Sequence, residues 1–297
     1  MGITSVSDYA WGHLPQHAMG TVHSVFSSSL NVELDGLLLH LGSSDAPLSC
    51  LGANVDAEEM PALVGSAVQG DRAVFRDGVL RIYSRARVSE LELSAAPVRC
   101  MRVPELAGAF PNDIDAALLR EIGALGLADR TGLPWPDRSR SAVSELARFS
   151  AMCRRVLDKG ERSCGDAQVE AAERAMHGAV EYLVGRGLGL TPSGDDVLMG
   201  FGTALRFLYC GGVSSMAQAF FETVSSVVPG KTTAVSEAYY RAMGEGYANE
   251  DYLDLLAVVR AMDEQALPDA LARVLELGHT SGADGLLGFG AAFCCLL

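Results

Sequence analysis

The sequence predicts an α+β protein: a mostly antiparallel β domain over residues 1–105, then an all-α domain over 112–297 that carries a duplicated helix-start motif. Three observations predict it. Short runs with strand alternation fill the first third, amphipathic or apolar helix-length stretches fill the rest, and a ten-residue segment recurs with the same residue types in the helical part.

The strand-like runs are Thr21–Phe26, Asn31–Leu34, Leu37–Leu41, Ala73–Phe75, Val79–Tyr83 and Arg87–Leu93. Val88-Ser89-Glu90-Leu91-Glu92-Leu93 alternates apolar with polar, the period of a half-buried strand. Asp77-Gly78 between two such runs is a two-residue hairpin signal, because both positions tolerate positive φ. Pro, Gly and a helix-capping residue cluster at Pro104–Asn112 and mark the domain boundary. Helices are then expected over Asp113–Leu127, Ser141–Lys159, Asp166–Arg186, Asp195–Cys210, Met216–Val227, Thr232–Gly244, Asp251–Asp263 and Pro268–Leu277, with a last apolar helix from about Asp284. Arg130–Arg140 reads as a turn, either a lid or a plain connector.

The chain has 297 residues, 49% hydrophobic and 20% charged, which suits two folded domains rather than disorder. Its formal net charge is -14, with arginines scattered among acids, so nucleic acid is not an expected partner. Seven cysteines without CxxC spacing fit reduced, buried thiols better than disulfides or a zinc site. Met1–Ala10 lacks the features of a secretory leader, and the apolar stretch Leu286–Leu297 is too short to span a bilayer. The expectation is a cytoplasmic protein with no membrane partner.

The repeat aligns Ser193–Gly202 (SGDDVLMGFG) with Ser281–Gly290 (SGADGLLGFG) without gaps. Two copies are too few for a solenoid and suggest a pseudo-two-fold pair of helices. Thr191, Ser193, Thr280 and Ser281 put hydroxyls just before each helix. Such groups cap orphan amides or hold a ligand. Gly194 and Gly282 allow close approach, and a helix N-terminus suits a phosphate or carboxylate. Asp196 and Asp284 are the candidate catalytic residues, able to accept from an amide NH₂ or act as base, with Asp195 beside them at the anion site. Gly200 with Ala204, and Gly288 with Ala292, place small residues four apart, so the two helices can approach closely and bring both starts to one cleft. A separation of Asp196 from Asp284 beyond two helix diameters, roughly 20 Å, defeats that arrangement. The bland alternative is that each Ser-Gly-Asp run only caps a helix.

Gly230-Lys231-Thr232 invites a P-loop reading, but the glycine required five residues earlier is Ser225, and the preceding segment looks helical. Lys231, Thr232 and Thr233 nevertheless open another helix and are candidate anion-binding residues, with a solvated lysine beside a capping threonine as the alternative. His279, next to the second motif, is a further candidate ligand contact. His13 and His17 are separated by Pro15 and do not suit a shared metal. Gly185–Gly189 lacks dinucleotide-binding spacing; it reads as a flexible approach to the first motif, with Arg186 as an anion partner. Three carboxylates near one anion need an offsetting charge, from Lys231, Arg186 or a divalent metal such as Mg²⁺. The residues themselves name no metal-ligand set.

Through GLGLTPSGDD (Gly187–Asp196), KTT followed by Ser236, and GHTSGADGLLG (Gly278–Gly288), the sequence resembles the AllH-type subunit of oxamate carbamoyltransferase. The resemblance runs from about Gly20 onward, with its specific motifs all in the helical part. It implies cytoplasmic work on oxalurate and phosphate, giving oxamate and carbamoyl phosphate in allantoin-type nitrogen breakdown, together with other carbamoyltransferase subunits. It carries no residue-level roles. A non-catalytic subunit that binds a small carboxylate or phosphate, and a metal-dependent hydrolase, are the competing readings.

Overall fold

A computed structural model describes residues 1–104, 112–134, 137–159, 165–209 and 215–293. Its strands and helices segregate along the chain as an α+β protein. Cys164, Cys210, Cys294 and Cys295 lie outside the described residues, as do 105–111 of the expected boundary and Trp135 and Pro136 of the expected loop. The described thiols, Cys50, Cys100 and Cys153, form no disulfide.

Met1–Arg102 and Tyr247–Glu250 form one compact unit. It contains strands β1 (Ile3–Ser7), β2 (His17–Val25), β3 (Ser29–Leu34), β4 (Leu37–Ser43), β5 (Gly52–Val55), β6 (Arg72–Arg76), β7 (Val79–Tyr83), β8 (Val88–Glu92) and β9 (Val98–Arg99), with short helices α1 (Asp8–His13) and α2 (Met60–Ser66). The strands make one sheet in the order β8-β7-β6-β2-β3-β4-β5-β1-β9. All neighbours are antiparallel except β4 with β5 and β1 with β9. Asp77 and Gly78 both take positive φ in the turn between β6 and β7, as that hairpin's twist requires. Asp35-Gly36 repeats the device between β3 and β4.

Alternation then sorts the side chains. Val22, Leu30, Val32, Leu39, Leu41, Phe75, Leu80, Ile82 and Leu91 are buried in one core with Ala10, Met60 and Leu63. The segment Tyr247–Glu250 belongs to this unit through polar groups: Glu250 accepts from the Leu48 amide at 2.8 Å, and Asn249 from the Cys50 amide at 3.0 Å. A single linear boundary therefore does not describe the unit.

The second unit is Val103–Gly246 and Asp251–Leu297. Its helices are α3 (Asn112–Ala124), α4 (Asp137–Lys159), α5 (Asp166–Leu183), α6 (Ser193–Tyr209), α7 (Ser215–Val227), α8 (Ala234–Gly244), α9 (Glu250–Ala261), α10 (Leu267–Leu275) and α11 (Ser281–Ala292). The two helices of the repeat, α6 and α11, lie at its centre and are buried almost all round, as helices without a polar face must be. They pack on each other, and α4, α5, α7, α8 and α10 pack around them. Phe201 on Phe220 (5.0 Å) and Phe289 on Phe293 (5.2 Å) fill the space beside the pair. Among the described residues no helix is long and apolar enough to cross a membrane.

Candidate functional site

Each copy of the repeat starts its helix in the same way. Before α6, the Asp195 and Asp196 amides donate to the Pro192 carbonyl at 2.8 and 3.1 Å. Before α11, the Asp284 amide donates to the Thr280 carbonyl at 2.9 Å. The glycines answer a tertiary demand. A Cβ on Gly194 would lie 2.0 Å from the Leu183 carbonyl oxygen, and one on Gly282 would lie 2.1 Å from that of Val274. Their amides are engaged as well, Gly194 N–H to the Arg186 carbonyl at 2.7 Å and Gly282 N–H to that of Leu277 at 3.0 Å. Gly194 and Gly282 thus seat the helices against the preceding turns, and the donors that face the site are hydroxyls instead.

The helices cross where side chains are missing. A Cβ on Gly200 would lie 2.0 Å from the Gly285 carbonyl oxygen, and one on Gly288 would lie 1.8 Å from that of Val197. Their starts consequently meet: the Thr191 and Ser281 hydroxyl oxygens are 3.4 Å apart. The two aspartates are then served crosswise. Ser281 and Thr191 hydrogen-bond Asp196. Ser193 and Thr280 hydrogen-bond Asp284, which also accepts from the Thr131 hydroxyl and from the Gly132 amide at 3.1 Å. Each carboxylate takes a serine from the opposite copy.

Burial governs the electrostatics. Asp284 is 0% exposed and Asp196 8%. Burial pushes the Asp196 carboxyl well above the ordinary range; the Ser281 and Thr191 hydrogen bonds oppose the rise, and the charges of Asp284 and Asp195 add to it. Asp284 is also raised by burial, against the pull of Thr131, Ser193, Thr280 and Gly132. Asp196 Oδ2 is buried with no hydrogen-bond partner among the described residues. A buried oxygen of that kind is costly unless something donates to it. Nearby, the Tyr252 hydroxyl fills the notch at Gly285, where a Cβ would lie within 1.8 Å of it. Burial and the charges of Asp251, Asp196 and Asp284 hold Tyr252 in its neutral form. Asp196 and Asp284 are the residues able to hold a cation. Among the described residues no group of three or more His, Cys, Asp or Glu gathers for a metal, so hydroxyl, water or ligand oxygens would complete such a shell.

Asp195 serves another purpose. It is 0% exposed and accepts from the Thr232 hydroxyl, the Tyr240 hydroxyl at 2.9 Å and the Gly185 amide at 2.8 Å. Thr233 caps α8 and donates to the Leu190 carbonyl. The Lys231-Thr232-Thr233 segment is thus a clasp on the loop before α6, its two threonine hydroxyls spent on Asp195 and Leu190. Lys231 and His279 are exposed. Sequence reasoning missed Thr131, Gly132, Tyr240 and Tyr252. No local pattern marks them, since each reaches the aspartates only through tertiary packing. As for the rejected alternatives, a helix (α7) rather than a strand precedes the Gly230 turn, and His13 and His17 fall on a helix and a strand.

Two family profiles match the chain. Residues 183–293 match the oxamate carbamoyltransferase subunit AllH, and residues 4–98 match the AllH family N-terminal domain. The chain belongs to the AllH family. The first match spans both copies of the repeat and the Thr232–Thr233 clasp, and the second covers the strand-rich unit up to β9. Membership makes the chain a carbamoyltransferase subunit in type, and the word subunit implies partner chains. No solved structure matches the chain.

Proposed function

We propose that the paired starts of α6 and α11 hold a small carbamoyl compound, and that this cytoplasmic chain acts with partner subunits on oxalurate and phosphate in allantoin-type nitrogen catabolism. The observation that carries the reading is the unpartnered, buried Asp196 Oδ2 beside Asp284. An acceptor-rich, hydroxyl-lined place suits a carboxamide, which brings NH₂ donors and a carbonyl acceptor together. In the direction that forms oxamate, a phosphate oxygen attacks the ureido carbonyl and the C–N bond to the oxamate nitrogen breaks. That nitrogen needs a proton. A carboxyl raised by burial, as Asp196 is, keeps its proton to higher pH than a free carboxyl and can give it up, recovering a proton from the attacking hydrogen phosphate.

The experiment is turnover of oxamate with carbamoyl phosphate by the reconstituted complex. Asp196→Asn is expected to lower kcat by about 10²–10⁴-fold, the scale of general acid–base catalysis. A complex that turns over equally well with this variant makes the chain a binding subunit only. A second reading uses the same two carboxylates to hold Mg²⁺, which commonly takes one or two carboxylates together with substrate phosphate oxygens. Metal analysis of protein purified without chelator separates the two, since only the second requires a bound ion.

A further inference from the structure

Tyr182, at the C-terminal end of α5, carries two guanidinium groups against its ring. The Arg186 guanidinium carbon lies 3.9 Å from the ring centroid and that of Arg138 lies 4.6 Å from it. Arg186 Nε donates to the Tyr182 carbonyl at 2.9 Å, and the Tyr182 hydroxyl meets Ser139 Oγ at 3.0 Å. Among the described residues neither arginine has a carboxylate partner, in a chain with a formal net charge of -14. Two cations stacked on one ring repel each other, and cation–π attraction offsets only part of that.

Each arginine is tied to the aspartate pair through its own stretch of chain. In one stretch, the Arg186 carbonyl accepts from the Gly194 amide, one residue past Ser193. In the other, Ser139 donates to the Pro134 carbonyl at 2.7 Å, at the end of the loop whose Thr131 and Gly132 donate to Asp284. The aspartate pair offers acceptors, and the arginine pair offers planar forks of N–H donors suited to a carboxylate or phosphate.

We propose that Arg138 and Arg186 form an anion subsite continuous with the Asp196–Asp284 place, so that the site takes ligands with a carboxamide at one end and a carboxylate or phosphate at the other. This rests on the carboxamide reading of the aspartate pair.

Calorimetric titration of the full chain tests it, with inorganic phosphate, oxamate and oxalate as probes. Wild type is expected to bind phosphate and to prefer oxamate over oxalate. Arg138→Met and Arg186→Met should each weaken phosphate and oxamate at least about tenfold, while Asp196→Asn keeps phosphate and loses the preference for oxamate. Arg138 is exposed, so its variant remains informative should Arg186→Met disturb Tyr182. Unchanged phosphate affinity in the arginine variants, or a wild-type chain that binds none of the probes, overturns the subsite. If Asp196→Asn alone abolishes oxamate binding, the carboxamide reading survives and the arginine subsite does not. If only the arginine variants matter, the anion subsite stands and the carboxamide reading fails.

Discussion

At neutral pH a buried Asp196 must either ionise at a cost or keep its proton, and the fold makes both states less comfortable than water does. Its carboxyl is raised above the ordinary 3.8 by burial, then by the charges of Asp284 and Asp195. Between 3.8 and the raised value, the folded chain binds more protons than the unfolded one, so stability falls as pH rises through that window. Asp196→Asn is therefore expected to raise the melting temperature at pH 8, with the gain shrinking towards pH 4. A melting difference that stays flat across that range contradicts the assignment. Asp195, one residue earlier, shows how different the neighbouring carboxylate is: Thr232, Tyr240 and Gly185 satisfy it completely. The repeat singles out Asp196, which aligns with Asp284 while Asp195 aligns with Ala283, but it does not show what satisfies Asp195, because those groups arrive from α8 and from the loop before α6.

The helices themselves were legible to different degrees. All the long ones follow from apolar periodicity and punctuation, and α6 and α11 begin at or within a few residues of their expected starts. The strands β7 and β8 alternate cleanly and were equally readable. Elements that depend on distant pairing were not. β5 is buried on both faces and shows no alternation, β9 is two residues long, and α1 is a single capped turn and a half. The small-residue spacing on α6 and α11 did identify where these helices meet. Gly200→Ala and Gly288→Ala are each expected to destabilise by about 1–3 kcal/mol or more, because the added methyl runs into a backbone carbonyl that cannot rotate away. Gly178→Ala, on the exposed face of α5 with open space around it, should instead stabilise by about 0.5–1 kcal/mol. Chemical denaturation of the three variants checks both signs. Equal effects at Gly178 and Gly200 count against the close crossing.

Over the whole molecule, burial shifts titratable groups in the two compact units with opposite consequences, so the units are expected to respond to acid in opposite directions. In the strand-rich unit, burial lowers His40 from 6.5 to about 4, and its ring nitrogen Nδ1 lies 2.8 Å from Asn31 Oδ1. The unfolded chain then binds the extra proton between about 4 and 6.5, so this unit loses stability as pH falls through that window. In the helical unit, Asp196 and Asp284 make stability fall as pH rises. Calorimetry from pH 8 to pH 4.5 is expected to show unfolding heat that moves down on acidification and is steadied by His40→Gln. A component sensitive to Asp196→Asn should move up over the same range. Movement of both in one direction rejects this division. Neither response was readable in advance, since His40 stands in an ordinary strand pattern and its burial comes from pairing with β3 and β5. The functional region was legible at this scale as a duplicated motif. What stayed hidden was the loop at Thr131–Gly132, which joins the site from over fifty residues before the first copy.

The crosswise pairing of Asp196 with Ser281 and of Asp284 with Ser193 has a mechanical consequence. A helix advances 1.5 Å per residue, so sliding α11 along α6 by even one residue pulls both serines off their aspartates together. Neither contact can compensate for the other, because each joins an aspartate of one helix to the serine that starts the other. The pair therefore works as a register lock: the helices hold the carboxyls in place, and the carboxyls report whether the helices are correctly aligned.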